Sequence, residues 1–172
     1  MPAELEFILR LGAATVIGAA IGLNRDLHGK PTGVRTLGLV GLGSALVILA
    51  GMGFHTQTPV DPNPVSRAIQ GILTGIGFLG AGVIVREGAG RRVHGFTTAA
   101  LIWLTACIGI ACGLGAWMPT VVAFLLVFVL LVGGGALEGW LHQKWYRANP
   151  DLQSDLQLHT QLDHSVRGET KE

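Results

Sequence analysis

The sequence predicts an all-α fold: a polytopic membrane bundle of about five transmembrane helices, N-terminus outside and C-terminus cytoplasmic. Three observations carry this. From Phe96 to Leu137 there are 42 residues without an Asp, Glu, Lys or Arg, a run no soluble domain of this size needs. From Ala68 to Val85 an uncharged run of eighteen residues reaches about 27 Å as a helix, nearly a bilayer's hydrocarbon core. The basic residues gather in alternate loops. The mean hydropathy of +0.51 agrees, and a net charge of +1 gives no electrostatic case for nucleic acid.

Span one runs roughly from Leu5 to Leu23. Glu4 and Glu6 precede its single Arg10, so the basic leader of a secretory signal is missing. Glu6 is the i,i+4 partner of Arg10, whose side chain can snorkel outward. Ala14, Gly18 and Gly22 form a small-residue stripe that suits helix packing and leads into Arg25. A charged loop follows, in which Pro31-Thr32-Gly33 breaks the helix and offers Thr32 as a cap. Span two covers about Val34 to Phe54, with Gly38, Gly41 and Gly43 as close-packing positions. His55 to Arg67 is proline-rich and reads as a loop.

Span three is the glycine helix around which the bundle is expected to form. Gly71, Gly75 and Gly82 share one face while Gly77 and Gly80 mark the opposite one, so neighbours can press on both sides. Arg86 to Gly95 is its charged exit loop. Span four runs from about Phe96 to Ala116, with Thr97 or Thr98 as a cap, and Gly113 to Pro119 is a short turn. Span five covers about Thr120 to Leu137. Trp140, Trp145 and Tyr146, mixed with Lys144 and Arg147, read as an interfacial belt. Residues 1–147 thus form the membrane domain, and 148–172 a short polar cytoplasmic tail.

One side of the membrane receives Arg25, Lys30, Arg35, Arg86, Arg91, Arg92, Lys144 and Arg147; the other receives Arg10 and Arg67. That asymmetry sets the orientation. Gly75-Ile-Gly77-Phe-Leu-Gly80 spells a dinucleotide fingerprint, but it lies mid-membrane without the preceding strand or the later acid, and is rejected. Cys107 and Cys112, five apart, are too distant for a disulfide along one helix and read as buried inert thiols. No catalytic constellation stands out, so no enzyme and no cofactor is expected.

The span centres carry hydroxyls and thiols (Thr15, Ser44, Thr74, Thr105) and no ionisable carboxylate or base, which counts against an autonomous metal pump. The charges gather at the cytoplasmic ends instead. Arg25, Asp26, Arg35, Arg86 and Glu87 come from the ends of three helices. Asp26 and Glu87 could hold hydrated Mg2+ as a ligand or substrate; the arginines could hold a lipid phosphate; and a register-setting ionic network is the third reading.

Ile21-Gly22-Leu23 with Arg25, Gly33-Val34-Arg35-Thr36, and Gly75-Ile-Gly-Phe-Leu-Gly-Ala-Gly-Val-Ile84 followed by Arg86-Glu87-Gly88 resemble the MgtC/SapB family of bacterial inner-membrane proteins. Gly95-Phe96-Thr97-Thr98-Ala99-Ala100 leading to Trp103, Ile108-Gly109-Ile110 and Cys112-Gly113-Leu114-Gly115 extend the likeness over roughly residues 5–137. The resemblance implies a five-helix domain of the cytoplasmic membrane tied to growth in scarce magnesium and, in some pathogens, to virulence. It marks Arg25, Arg35, Thr36, Glu87, Thr97 and Thr98 as functional candidates. Departures are Asn24 where many members carry Glu, Gln70 beside a glycine where some place the amide, and Thr97 where some place Asn. The chain looks like a short form without the C-terminal domain that resembles ACT domains.

Two activities follow as expectations. One is magnesium homeostasis, with Mg2+ passing or binding near Asp26 and Glu87. The other is regulation, in which the glycine-rich helices dock on a membrane ATPase or cation transporter. The lipid bilayer is one partner on either reading, and a homo-oligomer is a further expectation.

Overall fold

A computed structural model describes residues 3–53, 62–86 and 93–148. Five helices follow in order: α1 (Ala3–Leu27), α2 (Val34–Gly51), α3 (Pro62–Val83), α4 (Phe96–Leu114) and α5 (Trp117–Ala148). Between α3 and α4 a two-residue antiparallel ladder, β1 (Val85–Arg86) with β2 (Val93–His94), pairs Val85 with His94 and Arg86 with Val93. Among the described residues α1, α2, α4 and the 117–134 part of α5 are each long and apolar enough to cross a membrane. The fifth expected span, α3, is not among these four; Arg67 and Gln70 lie in its first turns.

Two helix starts differ from the sequence reading. α3 begins at Pro62, inside the expected proline-rich loop, because Pro62 and Pro64 occupy a first turn whose N–H groups need no intrahelical partner. α5 begins at Trp117, before Pro119, for the same reason, and runs on to Ala148. The turn before it is consequently tight: Gly115, left-handed at φ 72°, ends α4.

The chain divides into two compact units, residues 1–128 and 129–172, the division falling inside α5. In the first unit the core is α1, α2 and α4, which meet pairwise. α1 and α2 run antiparallel and touch backbone to backbone. A Cβ at Gly22 would stand 2.6 Å from Gly33 O, and one at Gly41 would stand 2.5 Å from Ala14 O. α4 runs parallel to α2: a Cβ at Gly109 would stand 2.5 Å from Gly41 O, and one at Gly113 2.8 Å from the Ile48 Cβ. Gly41 is therefore where three backbones converge. Leu37, Ala45, Ile48, Ile102, Ala106 and Cys112 fill the space around it and are buried.

α3 flanks this core, resting on α4 and, less closely, on α2; it is not the central helix. A Cβ at Gly71, Gly75, Gly77 or Gly82 would meet nothing within 4 Å, and one at Gly80 would make ordinary contact with the Ala99 Cβ at 3.7 Å. The bundle's close helix approaches use Gly18, Gly22, Gly41, Gly109 and Gly113 instead.

Candidate functional site

The end of the bundle where α1 and α3 finish and α2 and α4 begin gathers the candidate residues. Arg25 lies in the last turn of α1, where a cation also opposes the helix dipole. It is 7% exposed. Its Nη2 donates to Thr98 Oγ1 at 2.5 Å, joining α1 to the first turn of α4. Its Nε is buried without a partner, and no ion pair joins it to an acid among the described residues. A buried guanidinium in that state is costly, so the surrounding structure must impose it.

Asp26 has a different task. Its Oδ2 accepts from Val34 N at 2.9 Å. Gly33, the residue before α2, has extended backbone and no side chain to cap the helix. Asp26 reaches across eight residues to supply that cap, and its carboxylate favours the positive end of the helix dipole. It packs so closely on Gly33 that any side chain there would collide with it. Thr32, the cap expected from sequence, instead takes a left-handed conformation at φ 71°. The two threonines offered as caps for α4 do not cap it either. Gly95 stands before it at φ 102°, with Ala99 N donating to Gly95 O at 2.9 Å. Gly95 is forced by space as well as by φ, because a Cβ there would strike the Val83 carbonyl at the end of α3.

Arg35 and Thr36, in the first turn of α2, are exposed, as is Thr97. The structure thus brings Arg25, Asp26 and Thr98 into the joints between helices and leaves Arg35, Thr36 and Thr97 at the surface of the same end. The backbone of Arg86 lies in β1; its side chain, Glu87, Arg91 and Arg92 lie outside the described residues. Among the described residues no group of three or more His, Cys, Asp or Glu could hold a metal ion. Cys107 and Cys112 are free thiols, Cys112 buried.

The opposite end has a second, partly buried arginine that the sequence reading sent outward. Arg10 Nη1 donates to Gly113 O at 2.8 Å and Nη2 bonds Glu6 Oε1. The i,i+4 pairing with Glu6 is as expected, but the guanidinium caps the C-terminus of α4 rather than snorkelling. It also lies where a side chain at Gly115 would go. The signal that could have found it is Gly113-Leu-Gly115 itself, a glycine helix end whose free carbonyls need donors.

Comparison with known proteins places these features in a family. A family model for the MgtC family matches residues 11–140, which takes in Arg25, Asp26, Arg35 and Thr98. The chain belongs to the MgtC family. It is 40% identical over 152 residues to protein SrpB of Synechococcus elongatus, covering 83% of this chain and 84% of that one. It is 42% identical over 121 residues to protein MgtC of Salmonella typhimurium, covering 70% of this chain and 49% of that one. A third relative, YhiD of Escherichia coli strain K12, whose name proposes a magnesium transporter, is 38% identical over 130 residues, covering 73% of this chain and 59% of the relative. The chain thus spans most of SrpB but only about half of MgtC. No solved structure matches it. Family membership and the apolar helices together make this MgtC-family chain a multi-pass membrane protein.

Proposed function

We propose that this chain is a non-enzymatic protein of magnesium homeostasis in the bacterial cytoplasmic membrane. The observation that carries the reading is the match to the MgtC family across the whole core, together with one relative whose name refers to magnesium transport. Within it, the joint of Arg25 and Thr98 is the functional centre, and residues Arg35, Thr36 and Thr97 face outward beside it. The excess of basic residues in the loops at this end supports a cytoplasmic position for it. The test is growth in scarce magnesium of a bacterium lacking its own family member. The chain should restore growth, and Arg25→Gln should abolish rescue while the protein still inserts. Full rescue by Arg25→Gln, or none by the native chain when inserted, would overturn it.

Regulation of another membrane protein is favoured over ion transport by one specific observation. Asp26, half of the expected magnesium pair, has a carboxylate oxygen committed to the α2 cap. On the regulatory reading the face of α3 that carries the open Gly77, outside the lining of the α2–α3 groove, offers a smooth surface to a membrane ATPase or cation transporter. Magnesium uptake into liposomes carrying the purified chain, abolished by Glu87→Gln, would instead establish transport.

A further inference from the structure

We propose that the groove between α2 and α3 holds one acyl chain of an anionic phospholipid, its head group at Arg35. The groove has a volume of about 500 Å³ and is lined by Thr36, Gly43 and Val47 of α2 and Gly71, Gly75 and Leu79 of α3, among others. Thr36 and Ser44 supply its hydroxyls; the rest of the lining is apolar or glycine.

Its shape selects the occupant. The two helices touch at one end, where a Cβ at Gly51 would stand 3.4 Å from the Ala68 Cβ. Beyond that point they separate, and Gly43, Gly71 and Gly75 have no neighbour within 4 Å of a Cβ. The groove is a wedge, closed past Val47 and continuing to the first turn of α2. From Val47 to Thr36 the helix rises about 16 Å, close to half of a bilayer's ~30 Å hydrocarbon core and so to one leaflet. A hydrocarbon chain entering tail-first fits an apolar groove of one leaflet's length that closes at its inner end.

The charge at the mouth completes the match. Arg35 is exposed and stands one turn before Leu39, which lines the same groove. Lys30 is exposed in the preceding loop. Among the described residues the acid near this corner is Asp26, and one of its carboxylate oxygens is held on Val34 N. A guanidinium at the groove's mouth pairs well with a lipid phosphate.

The experiment places the full chain in phosphatidylcholine vesicles doped with a phosphatidylglycerol that carries a diazirine on its acyl chain. Crosslinked peptides are mapped by mass spectrometry. Labelling should concentrate on residues 39–47 and 71–79 above the level at the exposed Leu125 and Leu126 of α5. Gly75→Leu and Gly43→Leu start from positions where an added Cβ meets nothing within 4 Å, so each should fold and, by filling the groove, lose the groove labelling while keeping that on α5. Arg35→Gln should lower the preference for phosphatidylglycerol over a phosphatidylcholine probe about fivefold. Groove labelling no stronger than on α5, labelling unchanged in both folded leucine variants, an unchanged head-group preference, or crosslinks showing a second copy in the groove would each overturn the proposal. Growth rescue is not part of this readout, so its failure and that of the magnesium reading are separate.

Discussion

Two glycine-rich regions of this protein behave in opposite ways. In α1, α2 and α4, Gly18, Gly22, Gly41, Gly109 and Gly113 are places where one backbone rests on another. In α3, four of the five glycines between Gly71 and Gly82 face open space. Glycine spacing alone therefore marks a smooth helix surface, not a contact. The contact needs a second helix whose backbone arrives at the same level, as Gly41 meets both Ala14 and Gly109.

The largest effects should come from the first region. Gly41→Leu has a carbonyl oxygen in the way of even its Cβ, and no flexible side chain stands there to move aside. Even alanine at this position should cost about 1–3 kcal/mol from overpacking, and the leucine variant should yield no folded protein by size-exclusion chromatography in detergent.

Thr98→Val comes next. It removes the acceptor for Arg25 Nη2 and leaves a second buried donor unpaired, which should cost about 1–3 kcal/mol. Thr98→Ser keeps the hydroxyl and should recover most of the lost thermal stability; equal loss in both variants would mean the methyl group, not the hydrogen bond, matters.

Asp26→Ala should cost about 1 kcal/mol by uncapping α2. Asp26→Asn keeps an acceptor and should fall only slightly below the native chain in a denaturation series. The smallest effect belongs to α3: Gly75→Ala should be neutral, or stabilising by up to about 1 kcal/mol from helix propensity.

The same contrast explains what the sequence made legible. Five helices could be read because the long uncharged runs are one-dimensional features. The start of α2 at Val34 and of α4 at Phe96 could be read because a glycine precedes each. Gly18 and Gly22 stood out by spacing within one helix. The prominence of α3 in the sequence misled because its glycines are dense, whereas α4 has only two, Gly109 and Gly113. Their contact depends on Gly41 and Ala45, far away in the chain.

At the candidate site the residue types were legible and their partners were not. Arg25 reaches Thr98 across 73 positions, and Arg10 reaches Gly113 across 103. No local rule links such pairs. Asp26 was noted as a charge beside Arg25, yet its bond to Val34 arises because the loop turns back through Gly29 and Thr32, both with positive φ. Thr32 was the nearer capping candidate by sequence, but its left-handed backbone gives it another role.

The most direct test of the account compares Gly109→Ala with Gly75→Ala in the same detergent by thermal unfolding. The two changes add one methyl group each to a membrane-domain helix. The packing described here requires Gly109→Ala to lower the midpoint clearly and Gly75→Ala to leave it unchanged or raise it. Equal midpoints, or a larger loss at Gly75, would contradict a core built on α1, α2 and α4 with α3 at its flank.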